Sequence, residues 1–367
     1  MTNAQADFTF NILRENGIDS STILSPISII IALSMAYLGA KENTAAEIRE
    51  TIAKGIRENE IHPYFSTYLN DSKTFEFITL ESANRIYFNQ NLKLQDSYVD
   101  GIKKYYNGEF EQINFHQTSD AADKINQFVA KATHDKFQNI TDPDSINPET
   151  SMFLINAIYF KAEWADKFWS FQTFETDFYS SPEKTTKVQM MSKETTFNIP
   201  YFENDEYEVL GLPYENHEAT MFIILPRERF GLEKVMNEID ISVLIKNMAV
   251  SEKMEKEFYI KLPRFKIQSS IDLVEILKTF GIKNAFTEDA NFSGISARQN
   301  MKISSFSHKA LIETDENGSE ATAVTQFHYI PLSGKFREPD TIVVDHPFLF
   351  IIADKKLNFL FAGTFFG

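Results

Sequence analysis

Two kinds of apolar run alternate along this chain, and each kind predicts a different element. In residues 120–137 apolar side chains recur every three or four positions, which predicts an amphipathic helix packed on a large, flat surface. Residues 272–280 repeat that spacing and are followed by Gly281, a common helix terminator. Ser25 followed by Pro26 predicts the start of another helix, with serine as the N-cap.

Other apolar runs are short and continuous, and these predict strands rather than helices. The runs 348–353 and 357–362 flank Asp354-Lys-Lys356, which indicates a hairpin. Strands that are apolar on both faces imply sheets covered by helices or by another sheet, so we predict an α+β fold. The runs are 152–160, 220–225, 258–262, 348–353 and 357–362, and residues 343–350 are as strongly strand-like as any.

The segment 316–325 combines strand-like alternation with unusually small side chains. Gly318 provides a backbone position that tolerates unusual dihedral angles. From Ser319 onward, small residues fall on one face and mostly polar residues on the other, as period-two strands require. Small side chains suit a segment that must slip between existing strands without colliding with a core. We therefore predict a loop that can become a strand.

This segment resembles the reactive-centre hinge of the serpins, and further matches follow the family's order along almost the whole chain. They comprise 23–29 with 32–44, 156–161 with Trp164, 261–265, 292–295 and 308–311. The hinge residues that fit the pattern of inhibitory members are Glu316, Gly318, Ser319, Glu320, Ala321, Thr322 and Ala323.

The resemblance implies a single domain over residues 1–367 with three β-sheets, about nine helices and an exposed reactive-centre loop at about 316–340. It also implies that a target protease attacks the bond between Leu332 and Ser333, forms an acyl-enzyme, and is carried away as the loop inserts into the main sheet. Tyr329, Ile330 and Pro331 would then contribute to specificity.

Two clusters of supporting residues carry over from the family. Ser25, Ser28, Asn156 and His308 match its shutter, a polar group beneath the strands that must part. Trp164, Arg264 and Glu316 match its breach, where the loop enters the sheet, and we expect Arg264 and Glu316 to lie within ion-pair reach. The competing interpretations are a helix cap for Ser25, a surface position for His308 and a solvated acidic hinge around Glu316.

Several targets and one rival class stay open at this point. Leu332 fits chymotrypsin-like, cathepsin G-like or elastase-like serine proteases, and Tyr329-Ile330 offers a second cleavage site on a shorter loop. Lys335 and Arg337 are trypsin sites but lie too far along the loop for an efficient trap. The alternatives are inhibition of cysteine proteases and a non-inhibitory serpin acting as carrier, chaperone or storage protein.

Composition narrows the remaining classes. The net charge of −16 disfavours binding to nucleic acid or to anionic membranes, and no apolar run is long enough to span a bilayer. The absence of cysteine excludes disulfides and thiolate chemistry. Enzyme and phosphate-binding motifs are missing, so we expect no catalysis, no metal and no cofactor. Residues 58–71, where cofactor-responsive relatives bind heparin, contain no Lys or Arg, so heparin activation is not expected.

Four sequons bear on localisation, at Asn70, Asn139, Asn291 and Asn317. A glycan on Asn317 would lie inside the hinge and block strand insertion. Together with a polar beginning that lacks a signal-like apolar core, this predicts an intracellular protein, with an extracellular one as the alternative. We expect a monomer that polymerises by loop–sheet exchange when destabilised.

Overall fold

A computed structural model describes residues 1–195, 199–249, 257–297, 301–319 and 339–367 of the 367-residue chain. Within those ranges the chain forms nine α-helices and three β-sheets, in agreement with the α+β prediction. The helices are α1 (Thr2–Glu15), α2 (Pro26–Tyr37), α3 (Glu42–Ile52), α4 (Glu58–Asp71), α5 (Asp96–Tyr106), α6 (Thr118–Ala132), α7 (Leu232–Glu238), α8 (Ile241–Ala249) and α9 (Leu273–Thr279). No helix in the described ranges is long and apolar enough to cross a membrane.

The main sheet has the strand order β11-β12-β4-β2-β3. Its strands are β2 (Ile78–Asn89), β3 (Phe110–Ile113), β4 (Met152–Glu163), β11 (Phe265–Asp272) and β12 (Ile303–Thr314). β4 and β12 are parallel, hydrogen-bonded neighbours, whereas β4 is antiparallel to β2 and β12 is antiparallel to β11. A two-residue strand, β13 (Gly318–Ser319), pairs with the end of β4.

The other two sheets hold the rest of the strands. One has the order β1-β16-β15-β9-β8-β7 and the other β14-β10-β6-β5. Their strands are β1 (Thr22–Leu24), β5 (Phe174–Ser181), β6 (Lys184–Glu194), β7 (Tyr201–Glu203), β8 (Tyr207–Pro213), β9 (Ala219–Pro226), β10 (Phe258–Pro263), β14 (Asp340–Val343), β15 (Phe348–Asp354) and β16 (Phe359–Phe365).

Both faces of the main sheet are covered, which explains the continuous apolar run in β4. Alternate residues of β4, such as Phe153 and Ile155, pack under α6 against its Ile125 and Val129. The intervening residues face the large core that also contains α2, all of whose residues are buried. A helix that is apolar all round is expected only where it is enclosed on every side.

The elements predicted from periodicity are present, with two corrections. Residues 343–350 do not form one strand, because β14 ends at Val343 and β15 begins at Phe348 in a different sheet. Pro347 lies between them and cannot donate a ladder hydrogen bond. Ser25 is the N-cap residue of α2 but makes no side-chain capping bond, and its buried hydroxyl has no partner.

Candidate functional site

The seam between β4 and β12 is the centre of the candidate site. The two strands pair from Met152 and Ile303 to Tyr159 and Leu311, with one irregularity near Ser305. Beyond that point β4 pairs instead with β13, which runs antiparallel to it: Gly318 lies opposite Glu163, and Ser319 opposite Ala162. The chain after β12 therefore turns back and begins a new strand at the upper end of the seam.

Gly318 makes this close approach to β4 feasible. Its φ of +147° lies in a region that residues with a side chain rarely adopt. A Cβ atom at this position would lie 2.1 Å from the carbonyl oxygen of Ala162 and 2.5 Å from Cα of Glu163. Both neighbours are backbone atoms in a paired strand and cannot move aside, so only glycine fits.

Hydrogen bonds fix the turn that leads to Gly318. One carboxylate oxygen of Asp315 accepts the backbone N–H groups of Asn317, at 2.8 Å, and of Gly318, at 3.2 Å. The buried Trp164 donates its indole N–H to the carbonyl of Asp315 and its backbone N–H to the carbonyl of Asn317, at 2.9 and 2.8 Å. The turn is thus held from both sides before the loop leaves the sheet.

The first residue beyond the glycine is enclosed by aromatic side chains. Ser319 is fully buried, and its hydroxyl lies 3.1 Å from the hydroxyl of Tyr214. Tyr214 stacks on Trp164 with ring centroids 4.5 Å apart and an angle of 7° between the planes. A larger side chain at position 319 would have to displace this stack.

The expected contact between Arg264 and Glu316 is confirmed. The guanidinium Nε donates to the Glu316 carboxylate at 2.8 Å, and a second guanidinium nitrogen bonds the same oxygen. The hydroxyl of Thr173 donates to the other oxygen, and the backbone N–H of Phe168 donates to the Glu316 carbonyl at 2.9 Å. Glu316 is buried, so the alternative of a solvated hinge residue is wrong.

The carboxylate of Glu316 stays ionised in this setting. Burial raises the pKa of Glu316, but the hydrogen bonds from Arg264 and Thr173 outweigh burial, so the net pKa lies below its usual value. Such a depressed pKa stabilises the native state above the unfolded-state pKa, and this stabilisation is lost as the pH falls through the folded-state value.

A second polar cluster bridges β4 and β12 in the middle of the seam. His308 lies opposite Asn156, and its Nδ1 bonds the Asn156 side-chain oxygen. Its Nε2 accepts the backbone N–H of Ser25 at 3.1 Å. The side-chain nitrogen of Asn156 donates to the Ser28 hydroxyl at 2.6 Å, and Ser28 donates to Asn84 at 2.9 Å. The structure thus brings the four predicted shutter residues together.

His308 is neutral in this cluster. Because Nε2 accepts a backbone proton, the proton of the imidazole is assigned to Nδ1. The ring is fully buried, and burial lowers its pKa from 6.5 to about 3. The proposal of a surface histidine is therefore wrong.

Three further residues of the site were not predicted from the sequence. Asn84 lies opposite Asn156 in the β2–β4 ladder and bonds both Asn156 and Ser28. Tyr214 and Thr173 contact Ser319 and Glu316 from other elements. Asn84 lies in β2, a strand that the apolar runs of the sequence did not predict, and the other two residues depend on tertiary packing.

The distal part of the predicted site lies outside the described residues. It includes four hinge positions, Glu320, Ala321, Thr322 and Ala323, and the residues assigned to specificity and cleavage, Tyr329, Ile330, Pro331, Leu332 and Ser333. In the described ranges, no group of three or more His, Cys, Asp or Glu side chains is placed to hold a metal ion.

Comparison with known proteins identifies the class to which this sheet and hinge belong. The family model described as "Serpin (serine protease inhibitor)" matches residues 3–367. Human Serpin B4 is 31% identical, and the alignment covers 100% of this chain and 98% of the relative. Serpin B6 of Pongo abelii is 33% identical with the same coverage. The chain belongs to the serpin family, which is a family of protease inhibitors and not of enzymes.

Solved structures agree with the described fold. Uncleaved ovalbumin superposes with a TM-score of 0.87 at 28% identity, covering 100% of this chain and 99% of the other. Serpin48 of the insect Tenebrio molitor gives 0.87 at 30% identity, covering 100% and 97%. The native state of the thermophilic serpin tengpin gives 0.89 at 28% identity, covering 100% and 94%.

Replacing Glu316 by Lys tests the ion pair at the top of the seam. Two like charges would then face each other where Arg264 now has a buried partner, so we expect a loss of about 2–3 kcal/mol in stability. Thermal unfolding and size-exclusion chromatography after mild heating should show a lower melting temperature and polymers. Glu313→Lys, which breaks only the exposed pair with Lys266, is the control and should change stability by less than about 1 kcal/mol. Equal melting of both variants would contradict the assignment.

The neutral state of His308 predicts a specific pH dependence. Its folded pKa of about 3 lies below the unfolded value of 6.5, so its stabilising contribution is complete above pH 6.5 and is lost as the pH falls toward 3. Between pH 7 and 5 the wild type should lose about 2 kcal/mol more in unfolding free energy than His308→Gln. Urea unfolding at several pH values measures this. Parallel pH profiles of the two proteins would show that His308 is not buried in its neutral form.

Proposed function

We propose that this protein is a suicide-substrate inhibitor of serine proteases with an apolar primary pocket, cleaved between Leu332 and Ser333. The observation that carries the proposal is β13, which already pairs with β4 at the upper end of a seam otherwise closed by β12. A strand continuing from Ser319 in the same direction would separate β4 from β12 and run antiparallel to both. The reactive-centre loop, at about 316–340, is the segment that would supply it.

Energetics favour such an insertion. The inserted strand breaks one parallel ladder and forms two antiparallel ones, which are slightly more stable per residue. The gain is therefore about one additional ladder, or on the order of 10 kcal/mol for roughly ten residues at about 1 kcal/mol each. This value is comparable to the stability of a whole domain. The native state would then persist for kinetic reasons until the loop is cut.

The trap depends on the loop moving faster than the acyl-enzyme hydrolyses. Protease attack would make an ester between its nucleophile and the carbonyl of Leu332, releasing the Ser333 amine. From Gly318 to Leu332 the extended chain spans at most about 50 Å, enough to carry the tethered protease along the sheet. The inhibitory reading is supported by the burial of Ser319 and by the requirement for glycine at 318, since both suit a hinge that enters the sheet.

Target class rests on the sequence of the loop. Leu332 favours chymotrypsin-like, cathepsin G-like or elastase-like enzymes, and we expect Pro331 to stiffen the bait before it. Cleavage after Tyr329 would leave three fewer residues for insertion. A non-inhibitory role or the trapping of cysteine proteases is the competing function, and the small side chains of Ser319, Ala321 and Ala323 argue against the first of these.

We place the protein inside cells, unglycosylated and monomeric. The carbonyl of Asn317 accepts the buried Trp164 N–H, and the next residue is held against β4. A glycan on Asn317 would crowd this turn and oppose strand insertion. α4 contains no Lys or Arg, which argues against heparin as a partner. The target protease is therefore the partner that we propose.

Mixing the protein with chymotrypsin tests the function directly. We expect a complex that survives SDS and a released fragment that begins at Ser333. The cleaved inhibitor should also melt well above the intact protein, because the inserted strand completes the sheet. Cleavage at Ser333 with no SDS-stable complex and no gain in heat resistance would contradict the proposal.

Ser319→Arg tests the role of the hinge. The side chain would have to enter the space beside Tyr214, so insertion should slow and the variant should be cleaved as a substrate. The number of inhibitor molecules consumed per trapped protease should rise at least about fivefold. Ser97→Arg, on the exposed surface of α5, is the matched control and should trap as the wild type does. Full covalent trapping by Ser319→Arg would refute the assigned role.

A further inference from the structure

An exposed aromatic patch lies beside the hinge, formed by Trp169, Phe171 and Phe174. Phe171 and Phe174 are 73% and 64% exposed, the highest values among the large hydrophobic side chains that the structure describes. Trp169 is half-buried and stacks on Phe171 with ring centroids 5.9 Å apart and planes 7° apart. The patch therefore presents an ordered, largely apolar surface to solvent.

The fold does not need these rings for its core. Neighbouring aromatic residues of the same segment, Phe168 and Phe178, point inward and are buried. Phe174 begins β5, an edge strand of its sheet, and its ring is left in solvent. Clustered exposed apolar side chains of this kind commonly mark interaction surfaces.

The patch is attached to the hinge by direct contacts. Thr173, within the patch segment, donates its hydroxyl to the Glu316 carboxylate, and Phe168 donates its backbone N–H to the Glu316 carbonyl. Asp340, at the end of the reactive-centre loop, begins β14 in the same sheet as β5. Both ends of the loop are thus connected to the structure that displays the patch.

Its size decides what it can bind. Phe171 and Phe174 each have an area of roughly 200 Å², and at the exposures given above they present on the order of 300 Å² of apolar surface to a partner. A stable complex usually buries about 800 Å² on each partner. The patch is too small to hold a second copy of this chain by itself. It suits a supplementary contact with a partner that is already held elsewhere.

The partner held beside the patch is the protease on the loop. From Leu332 to Asp340 the chain spans at most about 28 Å, so a protease seated at the cleavage site is tethered within that reach of the sheet that displays the patch. The net charge of −16 favours a cationic partner, and arginine or lysine side chains bind well on aromatic faces.

We propose that the aromatic patch is an accessory docking surface for the target protease, which would be a cationic serine protease that contacts Phe171 and Phe174 with residues outside its substrate cleft. This inference rests on the proposed inhibitory function. The contact would accelerate formation of the initial complex and would leave the later partition between trapping and hydrolysis unchanged, because it does not involve the inserting strand.

The double variant Phe171→Ser/Phe174→Ser tests the inference. We expect its association rate constant with chymotrypsin and with cathepsin G to fall about tenfold, with unchanged inhibition stoichiometry and melting temperature. Phe230→Ser is the matched control, since Phe230 is 42% exposed and lies outside the patch, and it should associate at the wild-type rate.

The possible results separate the two proposals. Equal association rates of the double variant and wild type, with normal trapping, would overturn the docking surface while leaving the inhibitory function intact. No trapping by the wild type would refute the function itself and, with it, the docking surface. A wild-type dimer in analytical ultracentrifugation that the double variant lacks would assign the patch to self-association and overturn the inference.

Discussion

The parallel pairing of β4 with β12 is the constraint on which the rest of this structure depends. Among the described strands of the main sheet, the only other parallel pair is β2 with β3, which spans four residues at the edge. The β4–β12 seam is therefore the one extended position among them where an added antiparallel strand could pair on both sides. Parallel ladders are slightly weaker per residue than antiparallel ones. Replacing this parallel ladder by two antiparallel ones would therefore make the sheet more stable.

Polar contacts, rather than large apolar side chains, bridge this seam at its middle and its top. Asn156 and His308 join the two strands, and Glu316 joins the end of β12 to Arg264. Both contacts require the deprotonated form of the side chain, because His308 must be neutral and Glu316 ionised. Both conditions hold near neutral pH and both fail on acidification, so lowering the pH weakens the closed seam at its middle and at its top.

Much of the fold and the local part of the site could be predicted from the sequence. Period and length identified β4, β9, β10, β15 and β16 but not β2 or β12. The small residues after Gly318 indicated a segment that can become a strand, and the resemblance to the serpins indicated Arg264 as the partner of Glu316. The contribution of Asn84 could not be predicted, because it depends on the β2–β4 register, which brings two asparagines together. Pro347 is a local signal against a single strand over 343–350, whereas the assignment of the two parts to different sheets depends on tertiary packing.

The early pairing of Gly318 with β4 gives any strand addition a fixed direction. A strand that forms without any existing pair first has to close a loop. The conformational entropy of that loop is lost before any ladder hydrogen bond forms to compensate for it. Here the first two residue pairs, Gly318 with Glu163 and Ser319 with Ala162, already exist in the native molecule. Further pairing can therefore extend from an end that is already formed. The residues nearest Gly318 would pair first and would therefore control the rate of strand insertion. Bulky residues further along the loop would affect insertion only after most of the ladder had formed.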